Sequence, residues 1–552
     1  MVWNSREDEI ALYGSGSLES SKTSTRRKCT VTFVVLLLAG ILLAIIVPVT
    51  LHARNSSDDS VPAQQAGPPA GVTTACSATQ YPDTCSNTLQ NSTHSDARIF
   101  TSTTVAAAST GVDETRLSIK NSQTPENAPA VEVCLDTLTS ASAELEVVLK
   151  DLNTTDKAVL NATFDDIKTR LTAAMEFHTT CLDALEEVGG PISPSVQAVS
   201  KKSTHSLHSE TISSHGLNPL VWISRNLIVW ISRNLIAGGV GHRRNFSAVG
   251  RHGATAPPSP NRACKRYLQR RKIMDAVKNA PIKSSSPYVI YIKSGIYNVI
   301  YIKSGIYKEQ SMTTFLSPTL IVEGQGFKAK GIQVRNTAGP AGHQAVALRV
   351  SADKSSFYQC TFDSFQDTLY VHNYRQFYRD CTIKGTIDYI FGNAWAVFQN
   401  CRLTAKKSTI VGQVNVYTAQ GKTDRGQTTG ISFQSCTFDA TTDLARNSKA
   451  FPTYLGRPWK AYATTVLLRS RILAHVRPQG WLPWNASNFG LRTSYFAEYQ
   501  SSGPGALPSS RVAWSKQIKT VTDANKYQAS VFIQGNSWVK ATNFPYTGAL
   551  FT

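Results

Sequence analysis

Acidic residues are the scarce class in this chain of 552: 37 Asp and Glu face 57 Lys and Arg, for a net charge of +20. Such an excess suits a nucleic-acid binder, yet zinc-finger spacings, RNP-like runs and heptads joined to basic regions are all absent, so no nucleic-acid partner is expected. The eleven histidines show no HExxH or similar ligand spacing, so neither a metal nor any other cofactor is expected. The shortage of acid is also uneven. Residues 52–190 carry 8 Lys and Arg against 19 Asp and Glu (−11), residues 191–285 carry 15 against 2 (+13), and residues 286–552 carry 29 against 12 (+17). An acidic first half precedes a basic second half, and an acidic polysaccharide fits the basic half better than nucleic acid does.

The length predicts two folded domains with connecting and targeting segments. Residues 31–51, VTFVVLLLAGILLAIIVPVTL, are long and apolar enough to cross a bilayer as a helix, and Arg26, Arg27 and Lys28 precede them. This predicts a cytoplasmic tail over 1–29 and a transmembrane signal anchor over 30–51, with a cleaved signal peptide as the alternative. On either reading the rest enters the secretory lumen. Nine of the ten cysteines follow the run, as disulfides would require, and the odd number leaves at least one thiol. Asn55, Asn91, Asn153, Asn161, Asn245 and Asn485 each head an Asn-x-Ser/Thr sequon.

Residues 52–70 are polar and Pro-rich and read as a linker. Beyond them, Val133, Leu138, Leu145, Val148, Leu149 and Leu152 recur mostly at three- and four-residue spacings, as do Phe164, Ile167, Leu171, Met175 and Leu182. Two amphipathic helices follow, the second ended by Gly189-Gly190-Pro191. Cys76, Cys85, Cys134 and Cys181 are placed to staple a short N-terminal segment and to tie the two helices together. Within 191–285 and just after it, VWISRNLI is duplicated at 221–228 and 229–236, and VIYIKSGIY at 289–297 and 299–307. Perfect short copies point to a recent duplication or a fault of gene prediction, not to a solenoid.

A subtler repeat carries the architecture. The pattern aromatic-x-x-Cys followed by a β-former occurs as FYQCTF, YRDCTI, FQNCRL and FQSCTF, with cysteines at 360, 381, 401 and 436. A recurrence near 20–25 residues, in short runs rich in Thr, Val, Ile and aromatics, predicts a solenoid of stacked coils, most simply a parallel β-helix. Asp367 and Asp388 are 21 apart, and Gln344 and Gln366 are 22 apart. Each pair then sits on adjacent coils about 4.8 Å apart.

HQAVALR from 343, QDTLY from 366, GTIDYIFGNA from 385 and LGRPW from 455 resemble the active-site motifs of plant pectin methylesterases. The resemblance runs from about residue 286 to the C-terminus. It implies a right-handed parallel β-helix that hydrolyses methyl esters of homogalacturonan (pectin), releasing methanol, in the cell wall. By motif it makes Asp388 the nucleophile, Asp367 the acid and base, Gln344 and Gln366 the oxyanion donors, Arg457 the holder of the nucleophile and Trp459 a ring against the sugar. It also implies a Cys381–Cys401 bridge, for which stacking leaves Cys360 as a rival partner. ACSATQYPDTC and HTTCLDAL are similar to the pectin methylesterase/invertase inhibitor domain, a four-helix bundle, within which 91–129 is short for a whole helix. The domains expected are an inhibitor-like helical domain at 71–190, a linker and processing region at 191–245, and the β-helix at 246–552. The processing region offers a basic site at Arg243-Arg244, and Arg270-Arg271-Lys272 lies beyond it. The opposite charges predict that the first domain contacts the second.

Between LIVEGQG and FKAKGIQVRNTAGP the family has more than one further coil, which is absent here. That loss predicts a shortened groove and sets an alternative: an impaired, pectinesterase-like wall-binding or inhibitor protein. Pectin lyases and polygalacturonases share the architecture, but their chain cleavage needs motifs that the sequence lacks.

Overall fold

The computed structural model describes residue 89, residues 97–188 and residues 313–551. Three long helices come first: α1 (Ala97–Asn121), α2 (Ala128–Leu152) and α3 (Lys157–Val188). In α2 the expected stripe is buried through Val133, Leu138, Leu145, Val148 and Leu152, and it packs on Ile167, Leu171 and Met175 of α3. A disulfide between Cys134 and Cys181 ties α2 to α3. Asp156 starts α3, its side chain accepting from the Ala158 amide at 2.8 Å and so satisfying a free helix-end donor. Stretch 91–129, expected to be short for a helix, nevertheless holds the 25 residues of α1. Its buried stripe is Val105, Ala108, Val112 and Ile119. Small residues among Ser and Thr give a weak periodic signal, which is why the sequence understates it.

The second region winds in coils that contribute one strand to each of three parallel sheets. The first coil holds β1 (Leu320–Val322), β2 (Lys328–Lys330) and β3 (Gln333–Arg335), and the next holds β4 (Leu348–Val350), β5 (Ser355–Tyr358) and β6 (Thr361–Asp363). Then come β7 (Leu369–Val371), β8 (Arg375–Arg379) and β9 (Thr382–Gly385), followed by β10 (Ile390–Gly392), β11 (Trp395–Gln399) and β12 (Arg402–Ala405). After the short β13 (Asn415–Val416), the fifth coil has β14 (Thr418–Gln420), β15 (Gly430–Gln434) and β16 (Thr437–Ala440). After β17 (Thr453–Tyr454), the sixth has β18 (Arg457–Pro458), β19 (Thr464–Leu468) and β20 (Arg471–Ile472). The order β1-β4-β7-β10-β14-β18 defines the first sheet. This is the stacked-coil β-helix that the cysteine repeat predicts.

The repeat acquires a physical meaning at each coil's second corner. Phe357, Tyr378, Phe398 and Phe433 point inward and stack face to face, with ring centroids 5.0, 4.4 and 4.9 Å apart. Two residues later the chain turns through positive φ at Gln359, Asp380, Asn400 and Ser435, and the following cysteine returns to the interior. The same turn recurs at Arg469 and Gln500, where serine replaces cysteine.

Cys360, Cys381, Cys401 and Cys436 are buried free thiols, so the Cys381–Cys401 bridge is not formed. Each thiol of that pair instead donates to a backbone carbonyl of the preceding coil, Cys381 to Phe357 at 3.4 Å and Cys401 to Tyr378 at 3.6 Å. Cys381 also has equivalent neighbours on both sides, Cys360 and Cys401. Cys76 and Cys85 lie outside the described residues, as do both short duplications.

Where the sequence reading expects a deletion, between LIVEGQG and FKAKGIQV, the described solenoid has no break: β1 pairs in register with β4, β2 with β5 and β3 with β6, so the residues on either side combine into one coil. Among the described residues no helix is long and apolar enough to cross a membrane. The 30–51 span lies outside them.

Candidate active site

Along the first sheet, alternate residues face opposite sides, so Leu369 and Ile390 enter the core while Tyr370 and Phe391 face out. Tyr370 pairs with Phe391 across β7 and β10, and their rings stack at 4.3 Å. Asp367 and Asp388 precede these strands by two residues each, which puts both carboxyls at one level on neighbouring coils. Both take positive φ, 62° and 48°. Aspartate tolerates this left-handed conformation better than most residues. Gln344 and Gln366 form a parallel bridge one coil earlier, so the sequence-predicted amides and carboxyls do share one patch.

Arg457 reaches this patch from β18. Its Nε donates to Asp388 Oδ1 at 2.9 Å and its Nη2 to Asp388 Oδ2 at 2.6 Å, a two-pronged pairing that fixes the carboxylate plane. The guanidinium lies 4.4 Å from the Trp484 ring. Asp367, by contrast, has its pKa raised well above the usual carboxylate range, first by burial and then by the Asp388 and Glu187 charges, against a smaller opposing effect of Arg457. The two aspartates therefore differ in their partners: one is clamped by a cation, and the other is held toward its protonated form.

Trp459 lies 5.9 Å from Phe391 and 6.5 Å from Tyr370, extending the aromatic floor. Gly421 makes room for it, since a Cβ there would come within 2.8 Å of the indole. Gly392 has φ 121° and sits where a Cβ would strike the Val371 carbonyl, so the GNA turn requires glycine. Among the described residues no cluster of His, Cys, Asp and Glu has the arrangement of a metal site. The three described sequon asparagines, Asn153, Asn161 and Asn485, are exposed.

Charge leads the sequence reading to expect the helical domain against this one, and what it misses is which residues lie over the floor. Helix α3 crosses the outer face of the first sheet, with Phe177 edge-on to His372 and Tyr374 at 5.5 and 6.1 Å. Asp166 pairs with Arg375 at 2.6 Å, Glu144 of α2 accepts from Tyr374 at 2.8 Å, and Thr180 meets His372 at 2.7 Å. Glu176 accepts from Asn393 at 2.7 Å, Asp183 pairs with Lys460 at 2.5 Å, and Glu187 accepts from the Thr314 amide at 3.0 Å. The partners are 127 to 277 positions apart in the chain. Only Tyr370 and Phe391 carried a legible signal, being 21 residues apart like the aspartates.

A carboxylate clamped by Arg457, a buried one held toward its protonated form and the Gln344–Gln366 bridge thus share one face of a parallel β-helix. Residues 266–536 match the family model "Pectinesterase", and residues 70–215 match "Plant invertase/pectin methylesterase inhibitor". Pectinesterase 1 of Citrus sinensis is 34% identical over 517 residues, covering 86% of this chain and 87% of the relative. Pectinesterase/pectinesterase inhibitor U1 of Solanum lycopersicum is 32% identical and covers 93% and 94%. The solved structure of pectin methylesterase from carrot is 45% identical, covers 51% of this chain and 94% of its own, and superposes with a TM-score of 0.49. The chain belongs to the pectinesterase family, with an inhibitor-type domain ahead of the esterase domain, and its activity is hydrolysis of the methyl esters of pectin.

Proposed function

We propose that this pectinesterase works through Asp388 and Asp367 and is covered in cis by its helical domain. The observation that carries the reading is the two-pronged Arg457 pairing on Asp388 beside an Asp367 held toward protonation. Asp388 attacks the ester carbonyl, and the oxyanion receives hydrogen bonds from Gln344 and Gln366, a contribution of roughly 3–4 kcal/mol for one such donor. Asp367 passes its proton to the departing methoxide, which leaves as methanol. Asp367, now a carboxylate, takes a proton from water as that water attacks the acyl-enzyme, and free Asp388 and a galacturonate carboxylate result. Trp459 supplies the ring against the sugar.

The domains are assigned as 71–190 for the cover, 191–245 for the connecting and processing stretch and 246–552 for the esterase. The 30–51 segment serves as an anchor in the secretory pathway and the sequons as glycosylation sites, with methyl-esterified homogalacturonan of the cell wall as substrate. The complete first coil and intact register favour a working enzyme over the non-catalytic alternative. The test is methanol release from methylated pectin by the full chain carrying Phe177→Asp, which puts a charge into the buried contact that holds α3 on the sheet. Release that exceeds the native chain's and vanishes with Asp388→Asn supports the reading. Unchanged release with Asp388→Asn overturns the assignment of the nucleophile.

A further inference from the structure

The three sheets of the solenoid differ in what covers their outer faces. The first lies under α3, and the second carries a C-terminal segment, with Ala529, Phe532 and Ile533 packed against Phe377, Trp395 and Val397. Among the described residues no long helix packs on the third sheet, built from β3, β6, β9, β12, β16 and β20. Its core positions are Phe362, Ile383, Leu403 and Phe438, so the residues that alternate with them point outward. Register lines these up in two columns. One runs through Thr361, Thr382, Arg402, Thr437 and Arg471, and the other through Arg335, Asp363, Lys384, Thr404 and Asp439. Steps of about 4.8 Å carry the face across six strands, roughly 24 Å in all. Both of its carboxylates are already engaged, Asp363 by Arg335 at 3.1 Å and Lys406 at 2.8 Å, and Asp439 by Arg402. The side chains of Arg402 and Arg335 are nonetheless 66% and 55% exposed. Lys384 and Arg471 make no ion pair among the described residues, so the face keeps an open surplus of positive charge.

We propose that this third face is an anchoring surface, separate from the catalytic groove, that holds a strand of acidic polygalacturonate while the groove works on methyl esters elsewhere. The inference rests on the pectinesterase reading of the first sheet and adds a site that takes no part in the reaction. Charge selects the occupant. The guanidinium forks of Arg402 and Arg471 match carboxylates in two-pronged fashion, the Lys384 ammonium meets them as a point charge, and the threonine hydroxyls between them suit the hydroxyls of a sugar. A methylated strand is neutral and offers these cations nothing. Because the two faces belong to different sheets, a polymer on the third meets neither α3 nor the aspartates, and its binding does not depend on whether the groove is covered. A chain anchored in this way keeps its groove at a high local concentration of neighbouring esters.

The experiment uses the full chain with its groove covered, each form carrying Asp388→Asn so that the polymer stays unaltered. The forms are this parent, the triple variant Lys384→Gln, Arg402→Gln and Arg471→Gln, the single variant Thr382→Glu, which keeps every ion pair of the face, and a control with Lys516→Gln, Lys519→Gln and Lys540→Gln, three exposed lysines elsewhere. Affinity electrophoresis through polygalacturonate or fully methylated pectin gives the Kd of each. The parent is expected to bind polygalacturonate at least tenfold tighter than methylated pectin, and less tightly as salt rises. The triple variant is expected to lose at least tenfold and Thr382→Glu at least threefold, with the control within twofold of the parent. Equal loss in the triple variant and the control, or unchanged binding by Thr382→Glu, overturns the assignment of this face. Methanol release is measured separately with Asp388 restored and Phe177→Asp added. The triple substitution is expected to leave release from a short methylated oligomer within twofold, and a tenfold fall would overturn the separation of this face from the groove. Absence of release with and without the triple substitution would sink the esterase reading while leaving the binding comparison intact.

Discussion

Asp388 and Asp367 have the same side chain and divergent surroundings, and their roles follow from that difference. Replacing Asp388 by Asn removes the nucleophile and replacing Asp367 by Asn removes the proton donor. Either is expected to lower methanol release at least ~10³-fold in the uncovered chain with circular dichroism unchanged. Arg457→Lys keeps the charge but loses the fork that grips both oxygens of Asp388. A drop of about tenfold to a hundredfold in kcat/KM is expected, following the scale of a lost charge-assisted hydrogen bond. These residues are legible in the sequence because a solenoid converts equal spacing along the chain into proximity. The contacts of Glu176, Asp183 and Glu187 are not, because a docked helix obeys no repeat linking it to its partner. The Cys381–Cys401 bridge misleads for a related reason: periodicity stacks the cysteines of successive coils alike and does not say which of them, if any, are bonded.

Among the contacts that hold helix α3 on the sheet, one group has a charge out of place. Glu176 is buried at the contact, with Asn393 donating to it from the solenoid, Lys460 opposite and Asp183 one turn-pair further along its own helix. Burial raises its pKa from 4.5 to about 8, the Asn393 hydrogen bond opposes this, Asp183 adds to it and Lys460 reduces it. Because the docked value lies above the free one, the docked state is favoured most below about 4.5 and loses stability as pH rises toward and through 8. The native chain should therefore gain methanol-releasing activity between those limits beyond the gain of Phe177→Asp, and Glu176→Gln should flatten the difference. An identical pH profile for native and Glu176→Gln chains would remove Glu176 from this role. In the coils, the stacked column has a comparable single point of dependence. Phe398 lies between Tyr378 and Phe433, so Phe398→Ala opens a cavity with ring faces on both sides and should cost about 3–5 kcal/mol in chemical denaturation.

For the whole molecule, the opposite charges of the two halves find their use at the contact. The excess of acid over 52–190 supplies Glu144, Asp166, Glu176, Asp183 and Glu187, and the excess of base over 286–552 supplies Arg375 and Lys460 against them. The charge asymmetry is readable from composition alone, and so is the prospect of attraction. Which helix docks, and on which sheet, depends on the packing of Phe177 against His372 and Tyr374, a shape match that charge does not encode. The most direct measurement is steady-state methanol release from methylated pectin by three full-length chains: native, Phe177→Asp, and Phe177→Asp with Asp388→Asn. The account predicts at least a tenfold rise from the first to the second and a return to background in the third. Equal rates in the first two, or undiminished release in the third, would contradict it.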